Sequence, residues 1–442
     1  MRSDAFAEER DLIEMSRRSR SAVSELKSAK RSGNERSGVH AWHPYYAGYS
    51  ESFVDSALKY LDCDRGMTIL DPWGGSGTTS LVASRLGLQS ISVDINPAIS
   101  ALSASKSFEV VRHARGLSAF CRTLNSRFSS KDLNRSPNQA NEWLQEIVCA
   151  ASTSFPKLSL SHQSAASHLC LNPNTVPLSY PLRAFPQVAA FRLGRLSEGG
   201  KALSNPTWVK YKNKNKNSLP NAAIDFESIC HEMLLELKNS YQGNEGAHSF
   251  HLIGDSRKLP ISTGVIDRIV TSPPYLTRID YAVAAAPELA LLKVPRTLRD
   301  IRLNTMGSPV IRGPQVAQNP SWGKKCNKFL NEVASHESKA AKSYYWKHML
   351  QYFEDMERSL SEIRRVLRRG GRALVVVQGS YFKEILCPLG ELYEEMAEGV
   401  GLKAEIVFND RVASHMAHLN IRSSKYLANK VYSEDFVLLT KR

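Results

Sequence analysis

The 442-residue chain has no apolar run approaching the roughly 20 residues that cross a bilayer; its longest candidate, Ala282 to Leu292, is broken by Pro287 and Glu288. The first twenty residues are charged throughout and hold no apolar signal core, so a cytoplasmic protein with no membrane association is expected. The seven cysteines (Cys63, Cys121, Cys149, Cys170, Cys230, Cys326 and Cys387) form no CxxC pair and meet no histidine pair at zinc spacing. That scatter argues against a disulfide framework and a metal site, and reads as reduced thiols packed in cores. Acidic residues are in deficit, 43 against 58 basic, for a net charge of +15 and a pI near 9.4. Such an excess favours a polyanionic partner, and composition does not separate DNA from RNA or from an acidic membrane surface.

The hydrophobic share of 42% is that of a globular protein, and its distribution shows an α/β grammar. MTIL (Met67 to Leu70) is a short apolar run that ends in Asp71 and a glycine cluster. A helical stretch from Thr78 to Leu86 follows, and then ISVD (Ile91 to Asp94), a second strand with an acidic end. The same pattern returns in HLIGDSR (His251 to Arg257), IDRIVTSPPY (Ile266 to Tyr275) and ALVVVQG (Ala373 to Gly379). EIVF (Glu405 to Phe408) and DFVLLT (Asp435 to Thr440) complete seven strands, which with interspersed helices predict an open, doubly wound sheet, mostly parallel.

Asp94 and Gly254 lie about 160 residues apart, whereas a strand–helix–strand crossover needs about 30. A helix after Asn96 and another near Ile229 to Leu237 leave a long insertion, read as polar and loop-rich. It carries Lys210, Lys212, Lys214 and Lys216, interleaved with Tyr211 and asparagines, either a phosphate-tracking loop or a solvated one. A smaller insertion runs from about 295 to 343. Trp208 and Trp322 read as packing residues before base-stacking ones. The first 38 residues, with RRSR at Arg17 to Arg20, read as a solvated terminus or as a basic arm lying on phosphates.

Two segments carry chemistry. In DPWGGSGTT (Asp71 to Thr79) the glycines permit a sharp strand-to-helix turn and close approach of a ligand to the backbone. The helix that Thr78 opens presents its amides there, and Asp94 is placed to accept ribose hydroxyls. No Lys-Ser/Thr pair follows the last glycine, which excludes a Walker A loop. In TSPPY (Thr271 to Tyr275) two prolines leave carbonyl oxygens as fixed acceptors at the carboxyl end of a strand. The Ser272 hydroxyl and the Pro273 carbonyl can hold the two N–H groups of an exocyclic amine, and Tyr275 offers a stacking face to an extruded base. With Tyr275 and no cysteine in the turn, a covalent enzyme intermediate is not expected there.

These segments resemble the S-adenosylmethionine-dependent amino-methyltransferases that modify N4 of cytosine or N6 of adenine in DNA. DPWGGSGTT is similar to their cofactor loop, with Trp73 in place of the common Phe; DINP resembles the ribose site through Asp94, and GDSR the adenine site through Asp255. TSPPY resembles the catalytic motif in its cytosine form, and WHPYYAGYSESFV (Trp42 to Val54) the element that covers the methionine end of the cofactor. Of its histidines, His43 alone draws attention.

The resemblance covers residues 41–106 and 249–442 and implies a Rossmann-like methyltransferase sheet there; a basic extension over 1–40 and an inserted region over 107–248, a candidate for target recognition that matches no pattern of the family, lie outside it. It implies Ser272, Pro273, Pro274 and Tyr275 as catalytic residues. It implies Tyr45, Asp71, Trp73, Gly75, Gly77, Thr78, Asp94 and Asp255 as cofactor-binding residues. The expected activity is methylation of cytosine N4 in DNA, on a base flipped from the duplex, alongside a restriction or defence-system partner. Adenine N6 in DNA, an amine in RNA, and a non-catalytic nucleic-acid-binding subunit are the alternatives. With the chain ending after its last strand, target recognition is expected from the insertions.

Overall fold

The computed structural model describes residues 26–45, 48–129, 137–153, 180–197, 226–243, 245–277, 279–293, 297–411 and 430–442. The run Arg17 to Arg20, Cys170, Trp208 and the lysines from Lys210 to Lys216 lie outside them.

Among the described residues nine strands form: β1 (Thr68–Asp71), β2 (Gln89–Asp94), β3 (Ser249–Ile253), β4 (Ile266–Thr271), β5 (Leu367–Gln378), β6 (Ser380–Phe382), β7 (Ile385–Cys387), β8 (Lys403–Arg411) and β9 (Ser433–Thr440). Seven make one sheet in the order β3-β2-β1-β4-β5-β9-β8, and β6 and β7 form a separate hairpin. Strands β3 to β5 are mutually parallel across the sheet, and β9 runs antiparallel to both β5 and β8. The expected doubly wound, mostly parallel sheet of seven strands is what the chain forms. Sequence reading missed the β6–β7 hairpin, whose three-residue strands are too short for a periodic signal.

Helix α1 (Glu51–Tyr60) precedes β1, and α2 (Thr78–Arg85) links β1 to β2. Between β2 and β3 lie α3 (Pro97–Ala104), α4 (Phe108–Arg112), α5 (Ala114–Ser129), α6 (Pro137–Thr153), α7 (Tyr180–Ser197) and α8 (Phe226–Tyr241). Between β4 and β5 lie α9 (Tyr281–Ala284), α10 (Ala286–Leu292), α11 (Leu298–Asn304), α12 (Lys324–Ser335) and α13 (Trp346–Val366), and α14 (Leu389–Gly399) precedes β8. No described helix is long and apolar enough to cross a membrane.

Alternation along the strands divides the core. Ile69, Val270, Leu374, Val376, Phe436 and Leu438 face Phe53, Val54, Ala57 and Leu58 of α1. Leu70, Ile269, Val375, Val377, Val437 and Leu439 face α12, α13 and α14. A third core is helical and joins α3 to α8 with α10. The insertion was expected to be loop-rich, yet its described residues are largely helical. Leu117, Cys121 and Leu124 repeat every three or four positions along α5, and they bury a stripe that the polar residues between them obscure.

The N-terminal segment is less free than its charge suggests. Leu26 and Ala29 are buried against α1, and Ser50, the N-cap of α1, donates to the Ser28 carbonyl at 3.0 Å. Of the described cysteines, none is in a disulfide; Cys121, Cys230, Cys326 and Cys387 are buried, while Cys149 is exposed. Trp322 is a packing residue, buried and donating to Glu357 at 2.9 Å.

Candidate active site

The two chemical segments leave the carboxyl ends of adjacent strands, β1 and β4. Asp71 ends β1 and Thr271 ends β4, and the Thr271 hydroxyl donates to the Asp71 carboxylate at 2.6 Å. Asp71 also accepts from the Tyr49 hydroxyl at 2.6 Å and from the Trp73 amide at 3.2 Å. It is buried, and burial raises its carboxyl above the usual range against the pull of these donors. Asp71 is therefore a junction that joins the glycine turn, the N-terminal segment and the TSPPY turn.

The glycine turn is built by close packing. Gly77 adopts φ +81° as it opens α2, and an added Cβ would lie 2.4 Å from the Ser103 hydroxyl. A Cβ on Gly75, also at positive φ, would lie 2.7 Å from the Tyr45 hydroxyl. The glycines thus answer first to protein neighbours, Ser103 and Tyr45, rather than to a ligand. Thr78 and Ser76 hold the guanidinium of Arg31, at 2.9 and 3.0 Å, and the Ser76 carbonyl accepts from Lys106 at 2.8 Å. Burial, with Arg31 nearby, pushes the Lys106 ammonium down to about 7. Neither cation was picked out from sequence. Arg31 sits in a run that reads as solvated charge, and Lys106 follows a helix with no motif around it.

Asp94, half-buried at the end of β2, accepts one amide on each oxygen: Gly75 at 3.1 Å and Asn96 at 2.8 Å. Burial pushes its carboxyl up to about 6, against those two amides and with help from the Asp71 charge. The buried Asn96 side-chain amide and Trp73 indole nitrogen have no hydrogen-bond partner among the described residues. Tyr180 of α7 reaches this corner, donating to the Pro97 carbonyl at 3.4 Å and lying within the field of Asp94. Asp255 stands apart from that corner. Arg257 takes both of its oxygens at 2.7 to 3.1 Å, and Arg257 in turn is anchored to buried Asp355 at 2.8 Å. Burial works against the Asp255 charge, but Arg257 outweighs it and holds the carboxyl below its usual range.

In TSPPY the Ser272 hydroxyl donates to the Tyr275 hydroxyl at 3.2 Å, which leaves the serine lone pairs free to accept. The Pro274 carbonyl is taken by the Tyr352 phenol of α13 at 2.8 Å, and Pro273 is buried. Gly307, from the smaller insertion, rests beside Pro274 and the Tyr275 carbonyl. Burial and the Glu434 charge raise the Tyr275 phenol well above its ordinary value.

His43 joins the segments from outside the pocket. Its ring lies 3.1 Å from Glu288 of α10, and Glu288 is also held by Arg195 of α7 at 2.6 Å. Glu288 is 1% exposed; burial opposes its charge, but His43 and Arg195 hold it down to about 2. No group of histidine, cysteine and carboxylate side chains able to hold a metal occurs among the described residues.

No family model matches the chain. The chain is similar to a type II methyltransferase, M.BsoBI of Geobacillus stearothermophilus, at 27% identity over 292 residues. That similarity covers 61% of this chain and 56% of the relative, so the chain spans little more than half of that protein's length. Among solved structures, an rRNA methyltransferase, AviRa of Streptomyces viridochromogenes, aligns over 93% of this chain and 96% of its own, at 12% identity and a TM-score of 0.28. A likeness that weak bears on neither fold nor function.

Proposed function

We propose that the protein is an S-adenosylmethionine-dependent methyltransferase that modifies the exocyclic N4 amine of cytosine in DNA. The observation that carries this reading is the Asp71–Thr271 hydrogen bond, which sets a glycine turn and an SPPY turn side by side at the carboxyl edge of a doubly wound sheet. The similarity to a type II methyltransferase supports the same reaction class.

The residues fit the methyl donor. Asp94 keeps lone pairs for ribose hydroxyls, and the unpartnered Asn96 and Trp73 donors are of the kind a polar ligand satisfies. Gly75, Gly77 and Thr78 belong to the turn that would take the methionine end, with Tyr45 packed over Gly75, and Asp255 reaches an adenine ring only through lone pairs that Arg257 leaves free. When bound, S-adenosylmethionine supplies an electrophilic methyl group to the base amine. Ser272 and the Pro273 carbonyl accept the amine N–H groups, which keeps the nitrogen lone pair free and offsets the positive charge that develops there. Tyr275 supplies the face on which the extruded base stacks.

The test is incubation of the protein with labelled S-adenosylmethionine and either duplex DNA or RNA, then nucleoside digestion and mass spectrometry. Labelled N4-methylcytosine from DNA is expected. N6-methyladenine, or label confined to RNA, would move the assignment to those substrates, and no labelled nucleoside would overturn the enzyme reading.

Asp94 gives a separate expectation. Asp94→Ala removes a charged acceptor and is expected to weaken cofactor binding by about 1.5–3 kcal/mol in calorimetric titration. Because Asp94 is pushed up to about 6, it is ionised above that pH and protonated below it. Affinity is expected to fall as pH drops from 7 through about 6 to 5, and Asp94→Asn is expected to remove that dependence.

A further inference from the structure

The β6–β7 hairpin and the start of α13 form a surface that the glycine and TSPPY turns do not use. Strand β5 is parallel to β4, and β6 begins two residues after β5 ends, so the hairpin stands at the carboxyl edge of the sheet. Helix α13 leads directly into Leu367, which pairs with Ile266 at the amino edge, so the helix starts at the carboxyl edge. A single π-helical turn, Ala341–Tyr345, precedes it, a rare geometry that recurs at functional sites. The rings of Tyr345 and Phe382 meet at 4.9 Å and join this turn to the hairpin in one ridge.

The ridge is tied to the TSPPY turn. The Tyr344 hydroxyl donates to the Pro309 carbonyl at 2.7 Å, and the His348 ring lies 3.1 Å from the Ser308 carbonyl. Gly307, the next residue back, rests beside Pro274 and the Tyr275 carbonyl. Two residues of chain span at most about 7 Å, so the ridge adjoins the place where a base would enter.

Its charge is of one sign. From His336 to Lys347 the sequence has three lysines against one carboxylate, Glu337. Lys339 and Lys342 are exposed and Lys347 is half-buried, and none of them forms an ion pair among the described residues. On the hairpin side, Glu384 is engaged by His336 at 2.8 Å. Lys430 lies 4.7 Å over the Tyr381 ring and also forms no ion pair among the described residues. Leu386, the cross-strand partner of Tyr381, is 47% exposed. Unpaired cations beside aromatic and apolar groups, at the mouth of a site, complement a polyanion that also presents apolar edges.

We propose that this ridge is the docking surface for the DNA duplex beside the target base, an inference that rests on the methyl transfer proposed above. Lys339, Lys342, Lys347 and Lys430 take backbone phosphates, and the hairpin lies in the major groove. A two-stranded ribbon fits the major groove of B-form DNA, about 12 Å wide, whereas side chains cannot read the deep, narrow one of A-form RNA. Phosphate contacts fix register and orientation, so the ridge would hold the duplex with its extruded base toward Tyr275.

The test is binding of the full chain to a fluorescein-labelled DNA duplex between about 50 and 200 mM salt. Replacing Lys339, Lys342, Lys347 and Lys430 together with Gln is expected to reduce the log–log salt slope by up to about 3.6, with cofactor affinity and thermal unfolding unchanged. Arg369→Gln with Lys403→Gln, exposed at the amino edge, is expected to leave the slope as it was. An RNA duplex of the same sequence is expected to bind more weakly. An unchanged slope in the folded quadruple variant, a matching loss in the amino-edge control, or tighter binding of the RNA duplex overturns the proposal. If the slope falls as expected while the unaltered protein methylates neither DNA nor RNA, the ridge stands as a DNA-docking surface and the proposed function fails.

Discussion

Ser272→Ala is expected to slow methyl transfer by about 10²–10³-fold while leaving cofactor affinity unchanged. The serine hydroxyl donates to Tyr275 and so leaves its lone pairs for the amine of the proposed reaction, a contact that would matter most as charge develops on nitrogen. Single-turnover rates measure the loss, and calorimetric titration with S-adenosylmethionine checks that the cofactor corner is intact. Tyr275→Ala differs: it removes the stacking face, worth roughly 1–3 kcal/mol per base, so 2-aminopurine at the target should report less extrusion. Tyr275→Phe keeps the ring and is expected to extrude the base normally and to retain much of the activity. A fully active Ser272→Ala protein would remove TSPPY from the catalytic role and with it the proposed mechanism.

The second large effect is on stability. Glu288→Ala is expected to destabilise the fold by about 3 kcal/mol, the lower end for breaking a buried ion pair, because Arg195 keeps partial access to solvent and a bond to the Ala284 carbonyl. Urea unfolding at pH 7 measures it. Folded Glu288 is held at about 2, below its ordinary 4.5, so its contribution is complete above about 4.5 and is lost as pH falls toward 2. Glu288→Gln is expected to flatten the decline of stability across that window. Equal stability in both variants and the original protein would show that the cluster of His43, Arg195 and Glu288 contributes nothing to the fold. His43 lies two residues from Tyr45, so the same variants are expected to loosen the cover over Gly75.

The sheet was legible because its strands combine apolar runs with acidic or glycine punctuation. Met67 to Leu70 and Ile91 to Asp94 each fall on a strand of the structure, within two residues at either end, whereas the segment from Ile266 to Tyr275 overruns β4, which stops at Thr271 where the prolines begin. The strand around Ala373 to Gln378 begins earlier, at Leu367, because RRGG continues in extended form after the helix stops at Val366. The insertion was less legible, since α5 to α8 bury a narrow stripe against other helices and present charge elsewhere. DPWGGSGTT and TSPPY could be read as separate motifs, but not the hydroxyl-to-carboxylate bond between Thr271 and Asp71. Arg31 and Lys106 could not be read at all: each is an ordinary charged residue whose meaning comes from burial beside a distant segment.

The antiparallel end of the sheet also bears on how the protein is made. Strand β8 precedes β9 in the chain, yet in the sheet β9 separates it from β5. Until Ser433–Thr440 joins the sheet, β8 has no neighbour there, and β5 presents Ala373 to Val377 along an open edge. Such an apolar edge invites pairing with another nascent chain until β9 arrives to cover it. Pairing of Ser433–Thr440 then seals β5 and docks β8 in one event.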